Sequence, residues 1–243
     1  MASYKNIAPG LFIIADNSFG DYNRQVVHVL LKHVQDLFVE WLGPDGYGTK
    51  PVLIEYQDEC PQIFGYDPQK HTIKLFVDQN AEPCQWVYQF AHEYCHHLIN
   101  VKLDGDLSGL KWFEETICNL SSQIHLRKLL DDYNVLHPNI PSRDQILRWI
   151  RANSGTPQGD VRGYIQTNLA LLCTQCYRRE IYRDIATSVL PMFVSNPRLW
   201  KMILHFGDTT RWNSLENLFD YLKLSADESY YNSLLELRKM LIG

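Results

Sequence analysis

The sequence predicts an α+β fold in which a small N-terminal sheet and its helices are followed by an all-helical C-terminal lobe. Three observations lead there. Short alternating, β-branched runs are confined to the first 80 residues, apolar spacing near 3.6 residues dominates from residue 85 onward, and a glycine- and proline-containing loop at 153–159 separates the two regimes. The predicted lobes are residues 1–152 and 153–243, packed together or continuous.

Taken in order, residues 11–14 read as a short strand, and residues 21–42 as a helix carrying Val26, Val27, Leu30, Leu31, Val34, Leu37, Phe38 and Trp41 on one stripe. Gly43-Pro44 ends that helix. Residues 51–56 and 72–77 read as strands of one sheet, the second entered from a turn at 65–68. Residues 85–100 and 110–132 are helical again, with Gly105 and Gly109 in the loop that reverses the chain. Further helices are expected over 142–151, 164–189, 197–205, 214–222 and 229–241, the last ones supplying a core of Trp200, Phe206, Trp212, Phe219, Tyr221, Tyr230 and Tyr231.

A 243-residue chain that is 45% hydrophobic can bury a core without cross-links. Charged residues make up 21% and the net charge is −5, with no dense run of lysine or arginine, which argues against nucleic acid as a partner. No window reaches the length of a membrane span and the N-terminus lacks a signal-peptide stretch, so the expectation is a cytoplasmic protein with no membrane partner and with its six cysteines reduced. Cys173 and Cys176 form a C-x-x-C with no second pair at metal-ligand spacing, and buried helix thiols are the expectation there.

The segment His92-Glu93-Tyr94-Cys95-His96 is H-E-x-x-H. On a helix that spacing puts His92 and His96 about 40° and roughly 6 Å apart, so two imidazoles can share one metal ion. Glu93 lies about 100° from His92, placed to hydrogen-bond a metal-bound water and to act as general base. Val87, Phe90, Ala91, Tyr94, Cys95 and Leu98 form the apolar back of the same helix, and His97 points away from the metal into packing. After the loop, Trp112-Phe113-Glu114-Glu115-Thr116 offers carboxylates. A catalytic zinc takes three protein ligands and keeps one position open, and two histidines with a glutamate form a suitable set.

H-E-x-x-H, eighteen residues, then a glutamate inside W-F-E-E-T resembles the gluzincin metallopeptidases, particularly the aminopeptidase-N-like family with its thermolysin-like catalytic domain. The resemblance implies a zincin-like α+β domain whose active-site helix bears His92 and His96, with Glu115 as third ligand of one Zn2+ per chain and Glu114 as the alternative. It implies a metallopeptidase acting on a peptide or protein substrate, with Glu93 taking a proton from water. Tyr164, before an apolar helix run, resembles the family's transition-state-stabilising tyrosine, with Tyr177 and Tyr182 behind it. Asn119 stands where related proteins keep a residue that orients a zinc histidine. The family's edge-strand motif for a free amino terminus is missing from the corresponding stretch, residues 60–66. An extended substrate is expected antiparallel to the strand at 72–77 if its edge is unpaired, the alternative being that this strand is paired internally. The rival expectations are a zinc-binding interaction protein with a peptidase-like fold and no proteolytic activity, and a metal-dependent hydrolase of non-peptide substrates.

Overall fold

The computed structural model of the chain describes residues 3–16, 18–64, 67–77, 81–99, 110–136, 140–174, 178–207 and 214–243. It is α+β and mostly helical, with a five-stranded N-terminal sheet. The strands are β1 (Tyr4–Ala8), β2 (Leu11–Ile14), β3 (Val52–Tyr56), β4 (Gln62–Phe64) and β5 (His71–Leu75), in the order β1-β2-β3-β5-β4. The pairs β2/β3 and β3/β5 are parallel, whereas β1/β2 and β4/β5 are antiparallel. β1 and β4 went unread in the sequence because one carries a polar, exposed pattern and the other is three residues long. β4 bears directly on the site. It occupies the sheet edge, and the predicted strand at 72–77 proves to be interior, paired on both sides as β5.

Parallel pairing of β2 with β3 needs a crossover, supplied by α1 (Arg24–Leu42), whose first turn is capped by the Asn23 side chain. Its stripe, Val27, Leu30, Leu31, Val34, Leu37 and Phe38, is fully withdrawn from water. α2 (Pro83–Ile99) packs against α1 and beneath β5 and β4. Its predicted apolar back is buried to the last residue, and Tyr94 in its middle has its hydroxyl shared between Gln35 and the Gly46 carbonyl.

α3 (Lys111–Asp131) is the central helix, packed by α2, α5 (Arg143–Asn153) and α7 (Arg179–Ser195), and polar residues on it are buried with the apolar ones. Their hydroxyls are used: Ser121 donates to the Ala91 carbonyl and Ser122 to that of Tyr88, each at 2.8 Å, so small residues bring α3 close to α2 and bond across the contact. A one-turn helix α4 (Tyr133–Leu136) follows α3.

The single helix expected at 164–189 is two helices, α6 (Val161–Thr174) and α7. The reason is phase. Leu172 and Ile181 are both buried but nine residues apart, which on one continuous helix would set them about 180° from each other. α7 also continues through Pro191 to Ser195. Residues 197–205 form a 3-10 segment rather than an α-helix, and α8 (Leu215–Ser225) and α9 (Tyr231–Leu241) close the chain.

One contiguous cluster of buried side chains runs from Ala8 to Leu241. Trp200 of the 3-10 segment stacks on Trp41 of α1 with centroids 5.3 Å apart, joining the ends of the chain. The loop at 153–159, expected between lobes, is laced along α7: Gly155, Thr156 and Gln158 donate backbone N–H bonds to Thr187, Asp184 and Ser188. Its approach is so close that a Cβ on Gly155 would stand 2.4 Å from the Arg183 carbonyl carbon. Among the described residues no helix is long and apolar enough to cross a membrane. The five described cysteines are free, and Cys173 is exposed rather than buried, because α6 turns that side to solvent. Gly105, Gly109, Cys176, Tyr177 and Trp212 lie outside the described residues.

Candidate metal centre

α2 and α3 are clamped by the Ser121 and Ser122 bonds two turns from the point where His92, His96 and Glu115 meet. His92 Nε2 lies 3.2 Å from Glu115 Oε2, His96 Nε2 lies 3.5 Å from Glu115 Oε1, and the two Nε2 atoms are 3.2 Å apart. These donors all fall within 4.8 Å of one another, so one metal ion can be held by the three. The site is semi-buried: the His92 and Glu115 side chains are 19% and 20% exposed and His96 is 5% exposed.

The second nitrogen of His96 is also committed. Nδ1 sits 2.6 Å from Glu114 Oε1, which fixes the ring with Nε2 toward His92 and Glu115. Neighbouring glutamates, 100° apart on α3, thus serve opposite sides of one imidazole, Glu115 inward and Glu114 behind. Asn119, expected to orient a histidine, is spent differently. Its amide donates to the Glu115 carbonyl at 2.8 Å and its oxygen accepts from the Tyr88 hydroxyl at 3.3 Å, so its contact is with the ligand helix and not with an imidazole.

The electrostatics fit a divalent cation. Glu93 is 5% exposed and Glu114 2%, and Lys111 Nζ stands 3.4 Å from Glu114 Oε2 and 3.5 Å from Glu115 Oε1. With all groups ionised and the imidazoles neutral, three carboxylates face one ammonium and two negative charges remain without compensation. Burying that surplus is expensive, and one doubly charged ion removes it. The titration tendencies reflect the same imbalance. Burial pushes the Glu93 carboxyl above its ordinary range. Burial also works on Glu115, but His96 and His92 beside it hold it far below that range. His96 is raised well above an ordinary imidazole, against its own burial, by Cys118, Glu115 and Glu114 around it.

The centre opens onto a cavity of about 810 Å³ walled by β4 and the loop before it, α2, α3, α5 and α7. Glu93 lines it beside His92 and His96. Gln89 holds the backbone N–H and C=O of Phe76, and Gln85 donates to the same carbonyl, so Phe76 just beyond β5 is saturated, and among the described residues the unpaired strand edge lining the cavity belongs to β4. The strand expected at 72–77 to offer an unpaired edge is paired on both sides as β5, and the edge position belongs to β4. The tyrosines divide. Tyr164 is absent from the cavity lining and its hydroxyl donates to Asp184 Oδ2 at 2.7 Å on the outer side of α7, whereas Tyr182 is buried and lines the cavity. His97 is buried and shares a 2.8 Å hydrogen bond with His71 of β5, a packing position as its angle on the helix implied.

Lys111 and the cavity-lining Arg179 and Arg183 were not singled out in the sequence, and Glu114 was read only as the alternative third ligand, not as the partner behind His96; the only signal available was adjacency to the W-F-E-E-T segment or i, i+4 spacing. No protein-family model matches the chain, and neither the curated proteins nor the solved structures give a significant match.

Proposed function

We propose that the chain is a zinc-dependent peptidase that cleaves peptide bonds with a water activated at the His92, His96 and Glu115 centre. The observation that carries this reading is the meeting of three converging ligands with the buried carboxylate of Glu93 at the floor of a cavity bordered by a free strand edge. Zinc held there would supply Lewis-acid polarisation of a carbonyl and make a water more acidic.

The chain's own residues do the rest. β4 pairs with an extended peptide and lays it across the centre. Glu93, whose burial raises its affinity for a proton, acts as the carboxylate that takes a proton from water and passes it to the leaving amine. Glu114 keeps His96 in one orientation, and Lys111 offsets the charge of the two α3 carboxylates. Tyr182, which lines the cavity where Tyr164 does not, takes the role of donor to the oxygen of the attacked carbonyl in this reading.

Elemental analysis of protein purified without added metal, paired with a peptide-library digest, tests the reading. One zinc per chain in wild type and in Glu93→Gln, none in Glu115→Ala, and hydrolysis by wild type alone is the expected pattern. Hydrolysis undiminished in Glu93→Gln, or wild type without zinc under conditions that retain it, overturns it.

A further inference from the structure

Arg179 and Arg183 stand four residues apart on α7 and both line the cavity. That spacing puts two guanidinium groups on one helix face, an arrangement that is repulsive unless an anion lies between them. The acids of α7 do not neutralise them. Asp184 accepts from the Tyr164 hydroxyl and the Thr156 N–H, and Glu180 pairs with Arg178. Asp58 and Glu59, on the β3–β4 loop, line the same cavity, yet among the described residues neither forms an ion pair with either arginine. Arg183 Nη2 reaches Asn153 Oδ1 only at 3.5 Å, and its Nε is buried with no acceptor among the described residues. Nε is sealed off from the cavity, but the Arg183 side chain lines it, and its weakly partnered Nη donors leave N–H groups that an anionic ligand would satisfy.

The direction of the helices decides which part of a peptide meets these arginines. Gln85 and Gln89, early in α2, hold Phe76 beyond the end of β5, while His97, late in α2, holds His71 at its start. α2 therefore runs antiparallel to β5 and parallel to β4. A peptide on the free edge of β4, in the antiparallel ladder that is the more stable, runs opposite to α2. Its C-terminal part then heads toward the early turns of α2. α7 meets α3 at that end: the Arg183 carbonyl accepts from Gln123, two turns beyond Glu115 or about 12 Å along α3. Two extended residues span about 7 Å of that distance, and the arginine side chain covers the remainder.

We propose that Arg183, assisted by Arg179, binds a carboxylate carried one or two residues to the C-terminal side of the scissile bond, which makes the preferred substrates short peptides or peptide ends with an anionic leaving segment. The proposal rests on the peptidase reading above, which makes the cavity a peptide groove. The carboxylate has two sources, the α-carboxylate of a chain end or an acidic side chain, and the test separates them.

Titration calorimetry on zinc-loaded Glu93→Gln protein, which holds the ligand without turning it over, is run with three probes: N-acetyl-Ala-Phe-Ala as the free acid, the same peptide as its C-terminal amide, and N-acetyl-Ala-Phe-Glu amide. The free acid is expected to bind about ten-fold or more tighter than the neutral amide, and the ratio to fall within about two-fold once Arg183→Met is added. Arg183→Lys, which keeps the charge and serves as the folding control alongside zinc content and Tm, is expected to retain part of the preference. Tighter binding of the glutamate amide than the neutral amide assigns the carboxylate to a side chain and supports the proposal equally. Equal affinity for acid and amide, no binding by any probe, or a preference for the acid that survives Arg183→Met and so comes from the metal, each overturns it. Hydrolysis of these peptides by wild type bears on the peptidase reading alone, so the two failures are distinguishable.

Discussion

Glu114 and Glu115 have the same chemistry and opposite surroundings, and the difference yields a graded prediction. Glu115 lies among the converging ligand atoms, whereas Glu114 holds the far nitrogen of His96. Glu115→Gln should abolish tight metal binding, whereas Glu114→Gln should weaken it by about 10- to 100-fold, as loss of a partner behind a ligand does. Competition against a chromophoric chelator reads both, and equal losses would show that the two carboxylates share the metal. The convergence of His92 and His96 was legible because an i, i+4 spacing is geometry that a sequence contains. The role of Glu114 was not, since 100° of helix separates it from its neighbour and only the way α3 lies against α2 decides which carboxylate faces which nitrogen. The tyrosines fail to be legible for a similar reason. With fourteen in the chain, nothing local says which one a helix turns into the cavity. Steady-state kinetics should find Tyr182→Phe lowering kcat by about 10²- to 10³-fold while Tyr164→Phe, remote from the cavity, changes it little. The reverse ranking would return the role to Tyr164.

At the scale of elements, periodicity located the long helices and the central strands, and it failed where neighbours decide the outcome. β4 is too short to carry a period, yet it forms the cavity edge because β5 has β3 on its other side. The break between α6 and α7 lacks a glycine or proline signal, and only the requirement that Leu172 and Ile181 both reach the core reveals it. The turn after α1 is another such place. Gly48 has φ 72° and ψ 175°, a backbone region nearly restricted to glycine, and a Cβ there would lie 2.1 Å from His97 Nε2. The close approach seats the last turns of α2 against the loop that precedes β3. Gly48→Ala should therefore destabilise the fold by about 2 kcal/mol or more from strain alone, whereas Gly159→Ala, with open space around the added methyl, should be close to neutral. Urea unfolding of both variants measures the contrast, and a neutral Gly48→Ala would mean that the turn relaxes to a backbone alanine tolerates and that His97 moves aside with it.

Across the whole molecule, what the sequence least disclosed is how much polarity the core contains. α3 buries Thr116, Asn119, Ser121, Ser122, Gln123 and His125, residue types that a hydropathy pattern assigns to solvent, because the central position of this helix leaves it no solvent face and its hydroxyls and amides find backbone carbonyls instead. Three imidazoles share that fate. Burial lowers His125 to about 3 and His97, which also faces His71, to about 3, while burial with Lys50 nearby lowers His71 to about 4. An unfolded histidine takes up its proton near pH ~6.5. Between that pH and about 4 the unfolded chain therefore binds protons that the folded chain refuses, so folding stability must fall as pH falls through this window, approaching roughly 4 kcal/mol per pH unit where all three contribute. His96, raised in the folded state, is protonated in both states below pH ~6.5 and adds no slope there. Urea midpoints at pH 7, 6 and 5, taken in chelator so that metal release does not contribute, should decline steeply. A profile flat from pH 7 to 5 would mean that the folded core admits protons to these rings, and hence that the packing of His71 on His97 and of His125 between Phe38 and Trp41 opens more readily than its burial implies.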